Sequence, residues 1–247
     1  DYEAQVVVAE MRESRDHSER QRLAKKAIGI SAHCADALII LATESDHPLE
    51  KVIEELRKAV KAGVKQLGPE VFETHAGHFW TLDETRPFMR AMERLAFYVA
   101  AVDPLESIQI YRQMIQLDPR DHQGARYELI AHLIGEAMDE VAEALLAAYD
   151  DETGAMWTYS RALLHFRREG ETDASVLTGI RALKSNPHVP ALLFADQPPT
   201  PQVDSFSPGD ENEAMLYADI CHPLWKYTDG ARTYLRSVVE RSTLKTV

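Results

Sequence analysis

The chain has 247 residues, of which 45% are hydrophobic and 27% are charged. This composition argues against wholesale disorder, and the length allows one elongated domain or two compact ones. The formal net charge is −13. Because that charge repels phosphate backbones and anionic lipids, we expect neither nucleic acid nor a membrane surface as a ligand.

Cysteine use and hydropathy indicate the compartment. Cys34 and Cys221 are too few for a disulfide framework, so a reducing cytoplasm is the expected location. No apolar run approaches the roughly 20 residues that span a bilayer. The chain begins at Asp1 without a signal peptide pattern, and we expect a trimmed chain.

The residue pattern predicts helices throughout the chain, starting most clearly at 49–60. Apolar residues recur there at spacings of three and four, and Pro48 stands at the start, where a missing N–H costs little. Residues 68–84 are rich in aromatic and His residues, and we interpret them as an insertion between helices.

Proline positions predict the limits of the later helices. Pro104 opens a helix over 105–117. The pairs Asp118-Pro119 and Asn186-Pro187 end helices, because the residue before proline is pushed out of the helical region.

The last part of the chain changes composition. Residues 196–209 contain several prolines and predict an exposed connector, and two more helices are expected at 211–222 and 229–241. The resulting domains are repeats over 1–195 with an insertion at about 68–84, a connector at 196–209, and helices over 210–247 that cap the repeats.

Two parts of the chain match each other at twice a known repeat length. Pro119 and Pro187 lie 68 residues apart, and tetratricopeptide repeats have a period of 34 residues with a characteristic proline. Aligning both prolines brings residues of the expected size to the pattern positions, which are Leu95, Tyr98, Ser107 and Tyr111 in one unit and Ala162, Leu163, Phe166, Gly170, Ser175 and Ala182 in the other. Small residues at such positions let paired antiparallel helices approach closely. The alternative is a generic helical bundle with accidental proline spacing.

The predicted fold class is therefore all-α, a tetratricopeptide-type α-solenoid of about five antiparallel helix pairs with C-terminal capping helices. Three short stretches narrow this further, namely Glu84–Ala91, Asp121–Tyr127 and Asn186–Pro190. They resemble bacterial tetratricopeptide proteins that are similar to the carboxy-terminal region of the suppressor-of-tumorigenicity-seven family. The resemblance implies a non-enzymatic helical scaffold. Val102 departs from the pattern, which has glycine at that position.

A ligand is expected in the concave groove that the first helix of each pair lines. The predicted groove residues are Met89, Met92, Gln123, Arg126, Trp157, Ser160, Leu164, Arg167 and Arg168. Trp and Arg dominate interface hot spots, so an exposed Trp157 beside arginines predicts an anchor for a peptide or protein partner. Interior packing is the alternative for Trp157 and for both methionines.

Residues 73–83 supply the one pattern that suggests metal chemistry. His75 and His78, with Glu73 and Asp83, offer imidazole and carboxylate groups that could bind zinc. The spacing departs from H-E-x-x-H, and no nucleophile elbow or phosphate-binding loop occurs. We therefore expect no enzyme, no metal and no cofactor, and keep a metal-dependent enzyme as the alternative.

Arg86 and Arg90 lie four residues apart at the start of a predicted first helix. They could clamp a carboxylate of a partner or pair internally with Glu84 or Glu93, and the internal pair is the favoured interpretation.

Overall fold

The computed structural model describes residues 2–201 and 205–244, and within these ranges the regular structure is entirely helical, as predicted. The helices are α1 (Tyr2–Glu13), α2 (His17–Ile30), α3 (Ala35–Thr43), α4 (Leu49–Leu67), α5 (Pro69–Thr74), α6 (Arg86–Val99), α7 (Pro104–Leu117), α8 (Ala125–Gly135), α9 (Asp139–Ala148), α10 (Ala155–Glu169), α11 (Asp173–Ser185), α12 (Val189–Phe194), α13 (Glu211–Tyr227) and α14 (Ala231–Leu244). None of the helices in these ranges combines the length and apolar composition that a bilayer-spanning helix requires.

The chain divides into two compact units, the first ending at Leu129 and the second beginning at Ile130, within α8. In the first unit, α1 packs on α2, α2 on α3, α3 on α4, α4 on α6, and α6 on α7. In the second unit, α10 packs on α9 and α11, while α13 and α14 contact α10 and α12, and α14 also contacts α11. Packing of most helices on helices close to them in sequence is consistent with an α-solenoid.

Helix α4 shows how the sequence pattern produces this packing. Its buried residues recur along one stripe, which is Val52, Ile53, Leu56, Ala59, Ala62 and Gly63. On the opposite face, Lys51 forms ion pairs of 2.9 Å with both Glu54 and Glu55. The helix therefore buries one face and keeps its charges in solvent.

The two predicted helix ends have the same geometry. Asp118, with φ −141° and ψ 80°, and Asn186, with φ −151° and ψ 104°, are the C-caps of α7 and α11. Each cap N–H donates to a carbonyl oxygen four residues earlier, at 2.9 Å for Asp118 and 3.1 Å for Asn186. Both cap side chains are buried. The predicted helix ends before Pro119 and Pro187 are therefore confirmed.

Buried serines also correspond between the two pairs. The Ser107 hydroxyl donates to the carbonyl oxygen of Ala96 at 2.9 Å, where α6 crosses α7. The Ser175 hydroxyl donates to the carbonyl oxygen of Gly170 at 2.8 Å, at the start of α11. A side chain this small fits between paired helices, and its hydroxyl is satisfied by a backbone carbonyl.

Gly179 of α11 is aligned with Tyr111 of α7. Because Gly179 has no side chain, α14 can pack closely against α11 at this position. A Cβ atom at Gly179 would lie 2.8 Å from the Tyr234 hydroxyl and 2.9 Å from the methyl groups of Val238. The Tyr234 hydroxyl donates to the carbonyl oxygen of Ser175 at 2.5 Å, and its ring stacks on Phe166 at 4.6 Å. Helix α14 therefore packs on α11 at Gly179.

The predicted insertion contains α5 and a short 3₁₀ helix at Phe79–Thr81. Phe79 is fully buried, with its ring centroid 5.1 Å from that of Phe72 and 6.1 Å from that of Phe88. The aromatic residues thus anchor this segment on α6.

The predicted connector lies between α12 and α13, and its residues Gln202, Val203 and Asp204 are outside the described residues. The helix predicted over 211–222 continues to Tyr227, through Pro223. This continuation is explained by Trp225, which is fully buried and donates its indole N–H to the Tyr217 hydroxyl at 2.7 Å. The interior packing of Trp225 therefore outweighs the proline break.

Candidate functional site

Five of the nine predicted groove residues are in the interior. Met89, Met92, Trp157, Ser160 and Leu164 are each at most 2% exposed. The indole N–H of Trp157 donates to the carbonyl oxygen of Leu146 at 3.3 Å. The expected exposure of Trp157 is therefore wrong, and the packing alternative describes this side chain and both methionines.

The exposed side of α6 lies one position further along the helix than the prediction placed it. It consists of the exposed Arg94 and Phe97 and the half-buried Arg90 and Glu93, which together we call the α6 face. Their spacing of three, four and seven residues puts them on one stripe. The alternation of this polar stripe with the apolar stripe through Met89 and Met92 was the signal that could have located it.

Arg90 is fixed by a buried carboxylate. Asp36, in the first turn of α3, is 5% exposed and accepts hydrogen bonds from Arg90 Nε at 2.7 Å and Nη2 at 2.9 Å. Arg12 of α1 binds the same carboxylate at 2.9 Å. Arg90 thus pairs internally, as expected, but its partner is Asp36 rather than Glu84 or Glu93. This cluster joins α1, α3 and α6, and a bidentate pair of this kind fixes geometry strongly.

A cleft of about 470 Å³ opens over this cluster in the first unit. Four arginines and three carboxylates line it, namely Arg12, Arg20, Arg90, Arg94, Asp36, Glu44 and Glu93. Arg20 pairs with Glu44 at 2.5 Å. Arg94 is exposed, and it differs from the other three because no hydrogen bond or ion pair joins it to another residue in the described ranges.

A second cleft of the same unit, of about 420 Å³, is also lined by Glu93 and Arg94. Phe97 lines it and is 57% exposed. Gln123, a predicted groove residue, also lines it and donates to Glu93 Oε2 at 3.1 Å. The α6 face therefore presents a cation and an aromatic ring between two clefts.

Arg126, another predicted groove residue, contacts the side chain of the adjacent Tyr127. It donates to the Tyr127 hydroxyl at 3.0 Å, and its guanidinium lies 4.7 Å from the centre of that ring. The Asp121 carboxylate accepts hydrogen bonds from the backbone N–H groups of Ala125 and Arg126, at 2.7 and 2.9 Å, and so caps α8. Burial raises the pKa of the Asp121 carboxyl.

In the second unit, Arg167 and Arg168 are both used internally. Arg167 pairs with Asp139 at 3.1 Å and donates to the carbonyl oxygen of Ile134 at 2.8 Å. Arg168 pairs with Glu143 at 2.5 Å and with Glu169 at 3.0 Å. The acidic residues of α9 thus satisfy the arginines that were expected to bind a partner.

The histidines of the predicted insertion are exposed and do not converge with carboxylates. His75 lies 2.6 Å from the Thr74 hydroxyl through Nδ1, and Asp83 pairs with Arg86 at 2.6 Å. Over residues 2–201 and 205–244, the structure contains no group of three or more His, Cys, Asp and Glu side chains arranged to hold a metal ion.

Comparison with known proteins finds relatives with one shared name. The chain is 26% identical over 277 residues to "Protein ST7 homolog" of Caenorhabditis elegans, which covers 96% of this chain and 50% of that protein. The same identity and coverage apply to the Caenorhabditis briggsae protein of that name. The protein from Drosophila pseudoobscura pseudoobscura is 25% identical over 250 residues, covering 92% of this chain and 46% of its own length.

The chain thus spans about half the length of the curated relatives it matches. No protein-family model matches the chain, and no solved structure matches it. These relatives support the resemblance to the suppressor-of-tumorigenicity-seven family over most of the chain, at low identity.

Proposed function

We propose that this protein is a non-enzymatic, tetratricopeptide-type interaction scaffold that binds a peptide or partner protein along the α6 face of its first unit. The observation that carries the proposal is Arg94. It is an exposed arginine without an ion pair in the described part of the chain, and it lies beside the 57% exposed ring of Phe97.

The chemistry of this face suits a carboxylate next to an apolar side chain. An arginine without a partner can donate two parallel hydrogen bonds to a carboxylate, which are stronger than neutral ones. Arginine and aromatic side chains also dominate the energetics of protein interfaces. Because Asp36 already holds Arg90 in place, the face is ordered before a partner arrives, which lowers the entropy cost of binding.

Two further observations support a repeat scaffold of this type. The cap residues Asp118 and Asn186 and the buried serines Ser107 and Ser175 recur 68 residues apart, at twice the repeat length. The relatives named ST7 are compatible with such a role. The buried free cysteines fit a reducing compartment, and we propose the cytoplasm.

A peptide-display selection on the whole chain tests the proposal. Peptides selected by the unaltered protein are then measured against Arg94→Glu and against Arg112→Glu. Arg112 is an exposed arginine of α7 without an ion pair in the described ranges, so it matches the charge change away from the α6 face.

We expect the Arg94→Glu variant to lose about tenfold or more in affinity, since a hot-spot charge is reversed. The Arg112→Glu variant is expected to bind within about twofold of the unaltered protein. A selection that yields no binding peptide contradicts the scaffold function, and equal losses in both variants contradict the α6 face as its site.

A further inference from the structure

The second unit carries an apolar groove of about 680 Å³ that is independent of the α6 face. It is bounded by α11, α12 and α14, and we call it the α11–α14 groove. Its apolar lining includes Ile180, Leu183, Pro187, Pro190, Phe194 and Val239. An open groove of this composition is typical of a site that another apolar surface covers.

Three basic side chains lie at or beside the rim of the groove, with the exposed Glu240 of α14 as a neighbouring carboxylate, in a chain whose formal net charge is −13. Lys184 lines the groove, and Arg181 lies one turn earlier on α11. The guanidinium of Arg236, on α14, lies 4.2 Å from the centre of the Phe194 ring. All three cations are exposed, and none forms an ion pair with another residue of the described ranges.

This rim contrasts with helix α10 of the same unit. Arg167 and Arg168 of α10 each pair with a carboxylate of α9, so the unit does not lack acidic groups. The cations around the α11–α14 groove remain without such partners, and the missing negative charge is what a ligand would supply.

We propose that the α11–α14 groove is a second docking site and that it holds an amphipathic helix of a partner protein, with acidic residues flanking the apolar stripe. The apolar stripe would contact Leu183, Phe194 and Val239, and the flanking carboxylates would pair with Arg181 and Lys184. A helix is the expected form because the walls are the sides of helices, which accept side-chain ridges of another helix between them.

The test uses the whole chain and a displayed library of 16-residue amphipathic helices. Apolar positions of the library vary among Leu, Ile, Val, Phe and Ala, and flanking positions vary among Glu, Lys and Ser. We expect helices selected by the unaltered protein to be enriched in Glu at the flanks and to lose about tenfold or more in affinity for Leu183→Asp. A matched control is Leu177→Asp, on the same helix, because Leu177 is 48% exposed and lies outside the groove; its expected change is below about twofold.

Charge reversal separates this proposal from simple apolar binding. The double variant Arg181→Glu and Lys184→Glu is expected to select Lys at the flanks instead of Glu. If Leu183→Asp loses helical content, Ala191→Glu replaces it, since Ala191 is exposed at the edge of the groove and a longer acidic side chain there blocks and repels the proposed helix.

The proposal is overturned if the selected helices bind the groove variants as well as they bind Leu177→Asp, or if charge reversal leaves the flanking residues unchanged. It is equally overturned if no library helix binds the unaltered protein. None of these results bears on the α6 face, which belongs to the first unit.

Discussion

The pair α6–α7 of the first unit and the pair α10–α11 of the second each have a buried serine and a buried C-cap residue at aligned positions. The two pairs differ in which side chain fills the interior beside the second helix. In α7, the ring of Tyr111 fills the interior beside its own helix and is 1% exposed. In α11, the aligned position is Gly179, and the space is taken by Tyr234 of α14. The same repeat position can therefore be filled from within or by a distant helix.

The first helices of the two pairs differ in how available their arginines are. On α10, Arg167 and Arg168 are satisfied by carboxylates and a carbonyl group of the same unit. On α6, Arg90 is satisfied by Asp36, but Arg94 has no ion pair in the described ranges. Residue type alone does not make an arginine a binding residue, because its neighbours decide whether the guanidinium is free.

The largest expected effect on stability comes from removing the buried ring of Tyr111. Tyr111→Ala removes a buried ring whose space no other side chain is expected to fill, and we expect a loss of about 3–5 kcal/mol in the free energy of unfolding. Urea denaturation monitored by circular dichroism measures it. Phe97→Ala, which truncates an exposed aromatic residue of the same unit, is the control and should change stability by less than about 0.5 kcal/mol. A loss for Tyr111→Ala as small as that expected for Phe97→Ala would mean that Tyr111 is not a packing residue.

Adding a side chain at Gly179, the aligned position of α11, should have the next largest effect on stability. Gly179→Ala places a Cβ atom against Tyr234 and Val238, and we expect it to cost about 1–3 kcal/mol and to increase hydrogen exchange in α14. Gly29→Ala, in α2, meets no atom within 4 Å and should instead stabilise by about 0.5–1 kcal/mol. A stabilising effect of both substitutions would contradict the seating of α14 at this glycine.

The third largest effect on stability is expected from neutralising Asp36, whose carboxylate holds Arg90 of the α6 face. Asp36→Asn leaves Arg12 and Arg90 with a neutral partner, and we expect a loss of about 1–3 kcal/mol in stability, since charge-assisted hydrogen bonds are replaced. Peptides that bind the α6 face should also bind more weakly. Glu54→Gln on α4 neutralises the carboxylate of two exposed ion pairs, with Lys51 and Lys58, and serves as the control, with an expected change below about 1 kcal/mol.

Alkaline pH should produce the smallest loss of stability for each residue involved, here the buried tyrosines. Burial raises the pKa of Tyr111 in the first unit and of Tyr159, Tyr217 and Tyr234 in the second, the last to about 12. Because the unfolded chain ionises each tyrosine near pH 10 while the folded chain does not, stability is retained below pH 10 and falls as pH rises toward the folded pKa.

By pH 10.5 the expected loss is about 0.8 kcal/mol for each such tyrosine. Hydrogen exchange at pH values from 9 to 10.5 should therefore show the second unit weakening more than the first. Tyr234→Phe is expected to reduce the slope of stability against pH in that range. An unchanged slope would mean that Tyr234 already ionises near pH 10 in the folded protein.

Local features of the fold were predictable from the sequence, and features that depend on distant residues were not. The helix ends at Asp118 and Asn186 follow from the adjacent prolines, so they could be predicted. The contact of Asp36 with Arg90 joins residues 54 positions apart, and no local pattern indicates it.

The candidate site was missed for a related reason. A shift of one residue moves a helical side chain by about 100° around the axis, so the pattern that placed Met92 in a groove differs only slightly from one that exposes Glu93. Which of two adjacent stripes faces solvent is decided by the neighbouring helices, here α3, α4 and α7 against α6.

Photo-crosslinking tests the central claim, that the first unit binds its partner along the α6 face, most directly. A benzophenone amino acid is placed singly at Phe97 and, as a control, at the exposed Gln109 of α7, and each protein is irradiated with a peptide selected by display. We predict a crosslinked peptide from position 97 and none from position 109. Crosslinking from position 109 alone, or from neither position while the peptide is bound, would contradict the account.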